Sequence, residues 1–390
     1  MRHHLIVWAA GFMILYGCGD DDFAEDGRED SGSKSHQEGG AADVVGSDGK
    51  AADSGIPSGE AGPQDSGPGP KDSGPGPSDG GSSPADSGPV GVCDDACTGA
   101  KMCNDQGECV CAPGWTASAS QCVATPLSHP ATRTKADVCA RFAEASQKPT
   151  ALWKAGGGDE CDPGTVPYEA QVAALNYLNF YRWMVGVGPV QVLPKIAKAE
   201  QECAKILGYS FGHSPPPTTK CYTDEGAAAC GASLIASGYD LMTQFDGYEM
   251  EIDQNLVHRR NILSVGRAGV WTGTSIPGGS AMHYGGSYPA LDSDPEYVAH
   301  PGSGPNVLSR VPKRWFVQKG TKSIPALDAR VVEVGSGTEK PMKRNHHYKD
   351  FSSFDLSGWS PVVDTAYRVE LIDDDGVVFS TFETVFIQCP

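Results

Sequence analysis

The chain has 390 residues, a formal net charge of −19 and 13 cysteines. The acidity is concentrated in residues 19–90, where 16 Asp and Glu stand against 4 Lys and Arg, so the rest of the chain carries only −7. The sequence has no basic patch of the kind that nucleic-acid binding requires, which excludes DNA and RNA as expected partners.

The N-terminal residues have the form of an export signal. A short basic segment precedes an apolar stretch from Leu5 to Tyr16, which is too short to span about 30 Å of hydrocarbon. The stretch ends in Leu15-Tyr16-Gly17-Cys18, which resembles the lipobox of bacterial lipoproteins. The resemblance implies a signal peptide over residues 1–17 and a lipid-modified Cys18 that anchors the chain in a membrane. An ordinary secretory signal with a chance cysteine is the alternative.

The residue after Cys18 indicates which bacterial membrane would hold the lipid anchor. In bacterial lipoproteins an aspartate at that position favours retention in the inner membrane, and this chain has Gly19 there. We therefore expect an outer-membrane lipoprotein that faces either the periplasm or the cell surface.

Residues 18–90 are predicted to form a disordered tether. They consist mostly of Gly, Ser, Asp, Pro and Ala and include two copies of DSGPGP. Such a segment cannot bury enough apolar surface to offset its conformational entropy, and its prolines and like charges extend it. It serves as a spacer between the membrane and the folded part.

Six cysteines follow the tether with the spacing C-x3-C-x5-C-x5-C-x-C-x10-C, and residues 109–115 read CVCAPGW. This pattern resembles an EGF-like module, which we place at residues 91–124. Residues 88–92 carry none of the acidic groups of calcium-binding members, so no calcium site is expected. The resemblance implies disulfides between Cys93 and Cys103, Cys97 and Cys109, and Cys111 and Cys122.

The six remaining cysteines are expected to form three further disulfides, because an even set behind an export signal indicates oxidised pairs. Proximity in sequence favours Cys139 with Cys161. The set comprises Cys139, Cys161, Cys203, Cys221, Cys230 and Cys389.

Helical patterns are predicted in the middle of the chain and short strands towards its end. The helices are expected at residues 165–185, 194–207, 224–237 and 239–257. The strands are expected at residues 269–273, 315–318, 330–334, 367–372 and 377–387. The last three strands predict a small β-sandwich-like region over residues 325–390.

The segment from Ala174 to Val192 fits the pattern L-N-x-x-R-x-x-x-G-x-x-P. Phe211-Gly212-His213-Ser214 and the stretch VHRRNIL around His258 follow it in order. Together these motifs resemble the CAP superfamily of cysteine-rich secretory, antigen 5 and pathogenesis-related proteins. The resemblance covers residues 137–320 and implies an α/β fold, an α-β-α sandwich.

The same resemblance implies one cleft with two histidines and two glutamates, a set that suits a divalent ion such as zinc. His213 and His258 match the two histidines. Ala232 occupies the position of the first glutamate, and Glu249 and Glu251 are the nearest candidates for the second. With so few ligands we expect weak metal binding at most.

The other polar residues receive simpler interpretations. Arg259 and Arg260 are expected on a solvated helix face, with a carboxylate clamp or a ligand contact as alternatives. His346-His347 and His283-Tyr284 are expected in loops.

The function expected from these features is that of a non-enzymatic binding module for lipid, sterol or protein ligands at the cell envelope, as the CAP resemblance implies. The sequence contains no H-E-x-x-H and no phosphate-binding glycine loop, which disfavours the enzyme classes that need them. A hydrolase that uses the His213 and His258 cleft is the main alternative. A structural or adhesion protein at the cell surface is the third.

Overall fold

The computed structural model describes residues 97–104, 106–124, 132–238, 241–249, 256–276, 278–287, 295–319 and 322–390. The predicted signal peptide, Cys18, the tether and Glu251 lie outside the described residues. Within the described ranges, no helix has the length and apolar character needed to cross a membrane.

The first described segment is a disulfide-rich module of two hairpins. Strands β1 (Lys101–Cys103) and β2 (Cys109–Cys111) pair antiparallel, as do β3 (Trp115–Ser118) and β4 (Gln121–Ala124). Disulfides join Cys97 to Cys109 and Cys111 to Cys122, the partners that the EGF-like resemblance implies. Cys103 is also disulfide-bonded, and its expected partner Cys93 lies outside the described residues.

The helices lie in the middle of the chain around a four-stranded sheet of order β5-β7-β8-β6. Its elements are α1 (Lys135–Ala145), α2 (Tyr168–Met184), β5 (Gln191–Val192), α3 (Ala197–Leu207), α4 (Asp224–Ala232), β6 (Leu234–Ser237), α5 (Leu241–Glu249), α6 (Val257–Ile262), β7 (Arg267–Thr274) and β8 (Gly279–Ser287).

Three predictions in this part need correction. The helix expected over residues 224–237 ends at Ala232, and its last residues form β6 instead. The helix expected over residues 239–257 is replaced by two shorter helices, α5 and α6. His283 and Tyr284 lie in strand β8 rather than in a loop, because β8 pairs with both β7 and β6.

The pattern residues of α2 hold the turn that follows this helix. The Asn179 amide donates to Val190 O and accepts from Val190 N, each over 2.9 Å. Arg182 is buried and donates through Nε to Gly188 O at 2.8 Å. These side chains therefore fix the path from α2 to β5.

The disulfide-rich module lies against the edge strand β5. Trp115 Nε1 donates to Val192 O at 2.9 Å, and Val192 N donates to Pro113 O at 3.0 Å. Because β5 is an edge of the sheet, these bonds satisfy main-chain groups that the sheet leaves without partners.

Two further sheets fill the C-terminal part, with orders β10-β17-β16-β12-β13 and β14-β15-β11-β9. Their core is aromatic and includes Trp315, Phe354, Tyr367 and Phe386. The strands are β9 (Val298–His300), β10 (Gly304–Val307), β11 (Arg314–Gln318), β12 (Leu327–Glu333), β13 (Glu339–Lys340), β14 (Met342–Tyr348), β15 (Phe351–Leu356), β16 (Thr365–Asp373) and β17 (Val378–Ile387).

The expected fold class, an α-β-α sandwich followed by a small β-sandwich-like region, is wrong. The described residues are a mixture of 25% helix and 33% strand spread over small sheets, and they form no clear sandwich of that type. The physical reason is the pairing of strands from residues 298–318 with strands after residue 325. For example, β10 pairs with β17, and β11 pairs with β15.

The polar residues expected on surfaces and in loops of this part are also placed differently. Arg259 is fully buried and donates to Arg314 O at 3.0 Å. Arg260 pairs with Asp350 at 2.7 Å and lies 3.8 Å from the centre of the Phe351 ring. The expected solvated helix face is therefore wrong, because α6 packs against the sheet. His346 and His347 lie in β14, not in a loop.

Three disulfides join distant parts of the chain after residue 132. The expected pair of Cys139 with Cys161 is wrong, because proximity in sequence did not decide the pairing. Cys139 is bonded to Cys389 across 250 residues of sequence, which ties α1 to the C-terminus. The other two bonds are Cys161–Cys221 and Cys203–Cys230.

Candidate functional site

A polar cluster lies at the C-terminal end of α4, and we call it the α4-end cluster. It consists of Glu200 on α3, Ser233 directly after α4, His283 on β8, and His213 in the segment between α3 and α4. Thr223 caps the start of α4 by accepting from Gly226 N. The buried disulfide Cys203–Cys230 holds α3 against α4, so both helices are fixed where the cluster forms.

Glu200 lies on the buried side of α3. Its exposed fraction is 1%, and Ser233 Oγ lies 2.7 Å from Glu200 Oε2. Burial raises the pKa of Glu200 from its ordinary value of 4.5 to about 8, and the Ser233 hydrogen bond opposes part of that rise. The carboxyl is therefore mostly protonated at neutral pH.

A protonated Glu200 also accounts for the hydrogen bonds of Ser233. Ser233 Oγ lies 2.7 Å from both Glu200 Oε2 and Ala229 O. A hydroxyl has one proton to donate, and the Ala229 carbonyl only accepts. With Glu200 protonated, the carboxyl donates to Ser233 Oγ and the hydroxyl donates to Ala229 O, so both contacts are satisfied.

His283 occupies the solvent side of the cluster. Its Nδ1 lies 3.2 Å from Ala232 O and 3.8 Å from Glu200 Oε1, and its side chain is 26% exposed. Burial lowers the pKa of His283, and the charge of Arg267 adds to this effect. The buried Trp271 lies directly opposite on β7, on the same face of the sheet.

The carbonyls in the last turn of α4 orient both imidazoles. His213 Nδ1 lies 2.8 Å from Cys230 O, and His283 Nδ1 contacts Ala232 O. Because a carbonyl oxygen can only accept, Nδ1 carries the proton in each of these bonds and Nε2 is the acceptor of the neutral ring. The last carbonyls of a helix lack partners within it, so the histidines also stabilise the helix end.

The structure places the residues of the predicted cleft on several elements. His213 belongs to the α4-end cluster, and Ala232 is exposed at its edge. His258 is buried on α6, and Glu249 is the last residue of α5. The shared cleft of His213 and His258 stays a prediction. Among the described residues, no group of three His, Cys, Asp or Glu side chains is arranged to hold a metal ion.

Glu200, Ser233 and His283 were not predicted as site residues from the sequence. A signal for Glu200 was nevertheless present. Cys203, Ala204 and Leu207 follow it at intervals of three, four and seven residues, so a charged residue interrupts the buried side of a helix. A carboxylate in such a position indicates either a buried ion pair or a shifted pKa.

Comparison of the chain with protein-family models and with curated proteins finds no match.

Proposed function

We propose that the chain is a lipid-anchored extracytoplasmic binding protein that uses the α4-end cluster to hold a ligand without transforming it. The observation that carries the proposal is the 3.2 Å contact between His283 Nδ1 and Ala232 O. A carbonyl only accepts, so Nδ1 carries the proton, and Nε2 of this 26% exposed side chain is an acceptor. This arrangement suits a ligand that donates a hydrogen bond, such as a sterol hydroxyl or the ammonium of a lipid head group.

The surroundings of Ser233 favour binding over hydrolysis. A serine nucleophile needs a histidine as its hydrogen-bond partner and access to substrate. Ser233 is buried, and its hydroxyl contacts Ala229 O and Glu200. The disulfides of the described residues are consistent with an extracellular protein, which supports the proposed location.

The anchor is tested by labelling with radioactive palmitate and by fractionation of membranes. We expect the wild-type chain to take up label and to sediment with the outer membrane, and we expect Cys18→Ser to lose both properties. An unlabelled wild-type chain contradicts the lipid anchor.

The ligand is tested with the full chain carrying Cys18→Ser, so that the acyl chains do not bind the membrane themselves. Vesicles of phosphatidylethanolamine and phosphatidylglycerol are prepared with and without sterol, and co-flotation is measured. We expect binding that falls at least about fivefold in His283→Ala. His213→Ala should have a smaller effect.

His346→Ala is the matched control, because it removes an imidazole from β14, outside the cluster. Equal binding by wild type and His283→Ala contradicts the proposed site. Turnover of an ester substrate that disappears in His213→Ala supports a hydrolase instead. Absence of vesicle binding, with intact anchoring, supports a structural or adhesion role.

A further inference from the structure

A concave site lies between the disulfide-rich module and helices α1 and α2, and its residues are far in sequence from the α4-end cluster. Its volume is about 700 Å³, within the range of small-molecule sites. The floor is apolar and includes Ala145, Leu175 and Val190, which are all buried. Arg141 of α1 and Trp183 of α2 also line it. We call this site the α1–α2 groove.

Arg141 has an unusual environment in this groove. Its guanidinium lies 4.8 Å from the centre of the Trp183 ring. Among the residues that the structure describes, it makes neither a hydrogen bond nor an ion pair. It is nevertheless partly buried, and burial lowers its pKa while Glu144 partly opposes this. A partly desolvated guanidinium with unused donors is costly unless something binds it.

Arg133 contacts the same indole as Arg141, and its donors have carbonyl partners in the fold. Its guanidinium lies 5.1 Å from the centre of the Trp183 ring. Its Nη1 donates to Trp183 O at 2.8 Å, and its Nη2 contacts Ser303 O. Both arginines lie over one indole, but among the described residues only Arg133 donates hydrogen bonds to the fold. Within that part of the chain, the donors of Arg141 are available to a ligand.

We propose that the α1–α2 groove binds a small organic monocarboxylate with an apolar body, whose carboxylate pairs with Arg141. A guanidinium recognises a carboxylate through two parallel hydrogen bonds, and stacking on Trp183 fixes its plane beforehand. The apolar floor accepts the rest of the molecule. Asp137 and Glu144 also line the groove and repel negative charge, so a monoanion is favoured over a phosphate or another dianion.

The rigidity of the walls supports a preformed site. Helix α1 begins with a capping box between Thr134 and Asp137 and is bonded to the C-terminus through Cys139–Cys389. Phe142 of α1 packs on Phe180 of α2 with ring centres 5.4 Å apart. The wall that carries Arg141 is therefore fixed on both sides, and binding requires little ordering of the protein.

The test uses 3-phenylpropionate and its neutral analogue 3-phenylpropan-1-ol with the full chain carrying Cys18→Ser. Dissociation constants are measured by ligand-observed NMR. We expect the acid to bind at least about tenfold more tightly than the alcohol. Arg141→Gln should remove that difference, and Arg141→Lys should retain part of it. Lys195→Gln removes an exposed positive charge outside the groove and should bind the acid as the parent does.

Three results overturn the proposal. The acid and the alcohol bind the parent protein equally, or Arg141→Gln binds the acid as tightly as the parent, or the acid shows no saturable binding. The acid and the alcohol are compared on the parent protein, so this measurement tests the proposal even if Arg141→Gln folds poorly. The result is independent of His283, so this site and the α4-end cluster can fail separately.

Discussion

Glu200 and Asp246 are two carboxylates on helices of the same part of the chain, and they differ in their partners. Asp246 Oδ1 accepts from the hydroxyls of Tyr177 and Tyr181, the latter over 2.7 Å, and Oδ2 pairs with Arg310 at 2.6 Å. Glu200 has one hydroxyl and a histidine whose pKa is lowered. The side chain of Asp246 is 32% exposed, against 2% for Glu200.

The two acids differ in exposure as well as in partners, and each has a different role. The oxygens of Asp246 are bonded to two tyrosine hydroxyls and the Arg310 cation, contacts that serve the fold. A carboxylate that lacks a cation and is removed from water holds a proton instead, and such groups concentrate at functional sites. Asp246 therefore joins α2, α5 and the turn at Arg310, whereas Glu200 makes the α4-end cluster responsive to pH.

The largest effect is expected from Glu200→Gln. Because the pKa of Glu200 is about 8 in the folded chain and ordinarily 4.5, the folded state holds this proton more tightly than the unfolded state. The stability that this provides is complete below pH 4.5 and is lost as the pH rises towards 8. The loss is on the order of 4 kcal/mol. Glutamine has the same shape and no charge, so the free energy of unfolding of the variant should not fall in this way as the pH rises.

The measurement is the free energy of unfolding in urea between pH 5 and pH 9. Near pH 5 the two proteins should be similar, and at pH 9 the variant should be more stable. A wild-type stability that falls no faster with pH than that of Glu200→Gln contradicts the raised pKa.

The next largest effect is expected from Asp246→Ala. This change leaves two tyrosine hydroxyls and the Arg310 guanidinium without their shared acceptor, at a cost of about 2–3 kcal/mol. Asp374→Ala is the control, because Asp374 is 64% exposed and pairs only at the surface with Arg344. Its loss should change the free energy of unfolding by less than about 0.5 kcal/mol. Equal effects of the two changes contradict the role given to Asp246.

The fold could be predicted from the sequence where local pattern decides it. The apolar repeat of α2 and the alternating strands β16 and β17 are expected and observed, with ends that differ by a few residues. The pairing of strands distant in sequence could not be predicted, and it is what changes the fold class. The parallel contact of β10 with β17 joins residues about 80 positions apart, and no local propensity specifies it.

The candidate site was predictable only in part. His213 was identified from a resemblance, and the structure places it beside the end of α4. Ser233 and His283 meet Glu200 because α4 stops at Ala232 and the chain continues into β6, which pairs with β8. That helix end was predicted five residues too late, at residue 237, which put Ser233 inside a helix. The error in the boundary therefore concealed the site.

The smallest effect is expected from Ser233→Ala, and its dependence on pH is more informative than its size. At pH 6, where Glu200 is protonated, the change should cost about 1 kcal/mol for the lost hydrogen bonds. At pH 9 the cost should be larger, because the Ser233 hydroxyl lowers the pKa of Glu200 by donating to the ionised carboxylate.

In the Glu200→Gln background, Ser233→Ala should cost the same at both pH values, since no charge remains to stabilise. Unfolding in urea of the four proteins at the two pH values measures this. A cost in the wild-type background that does not change with pH shows that Ser233 bonds Ala229 O alone and does not lower the pKa of Glu200.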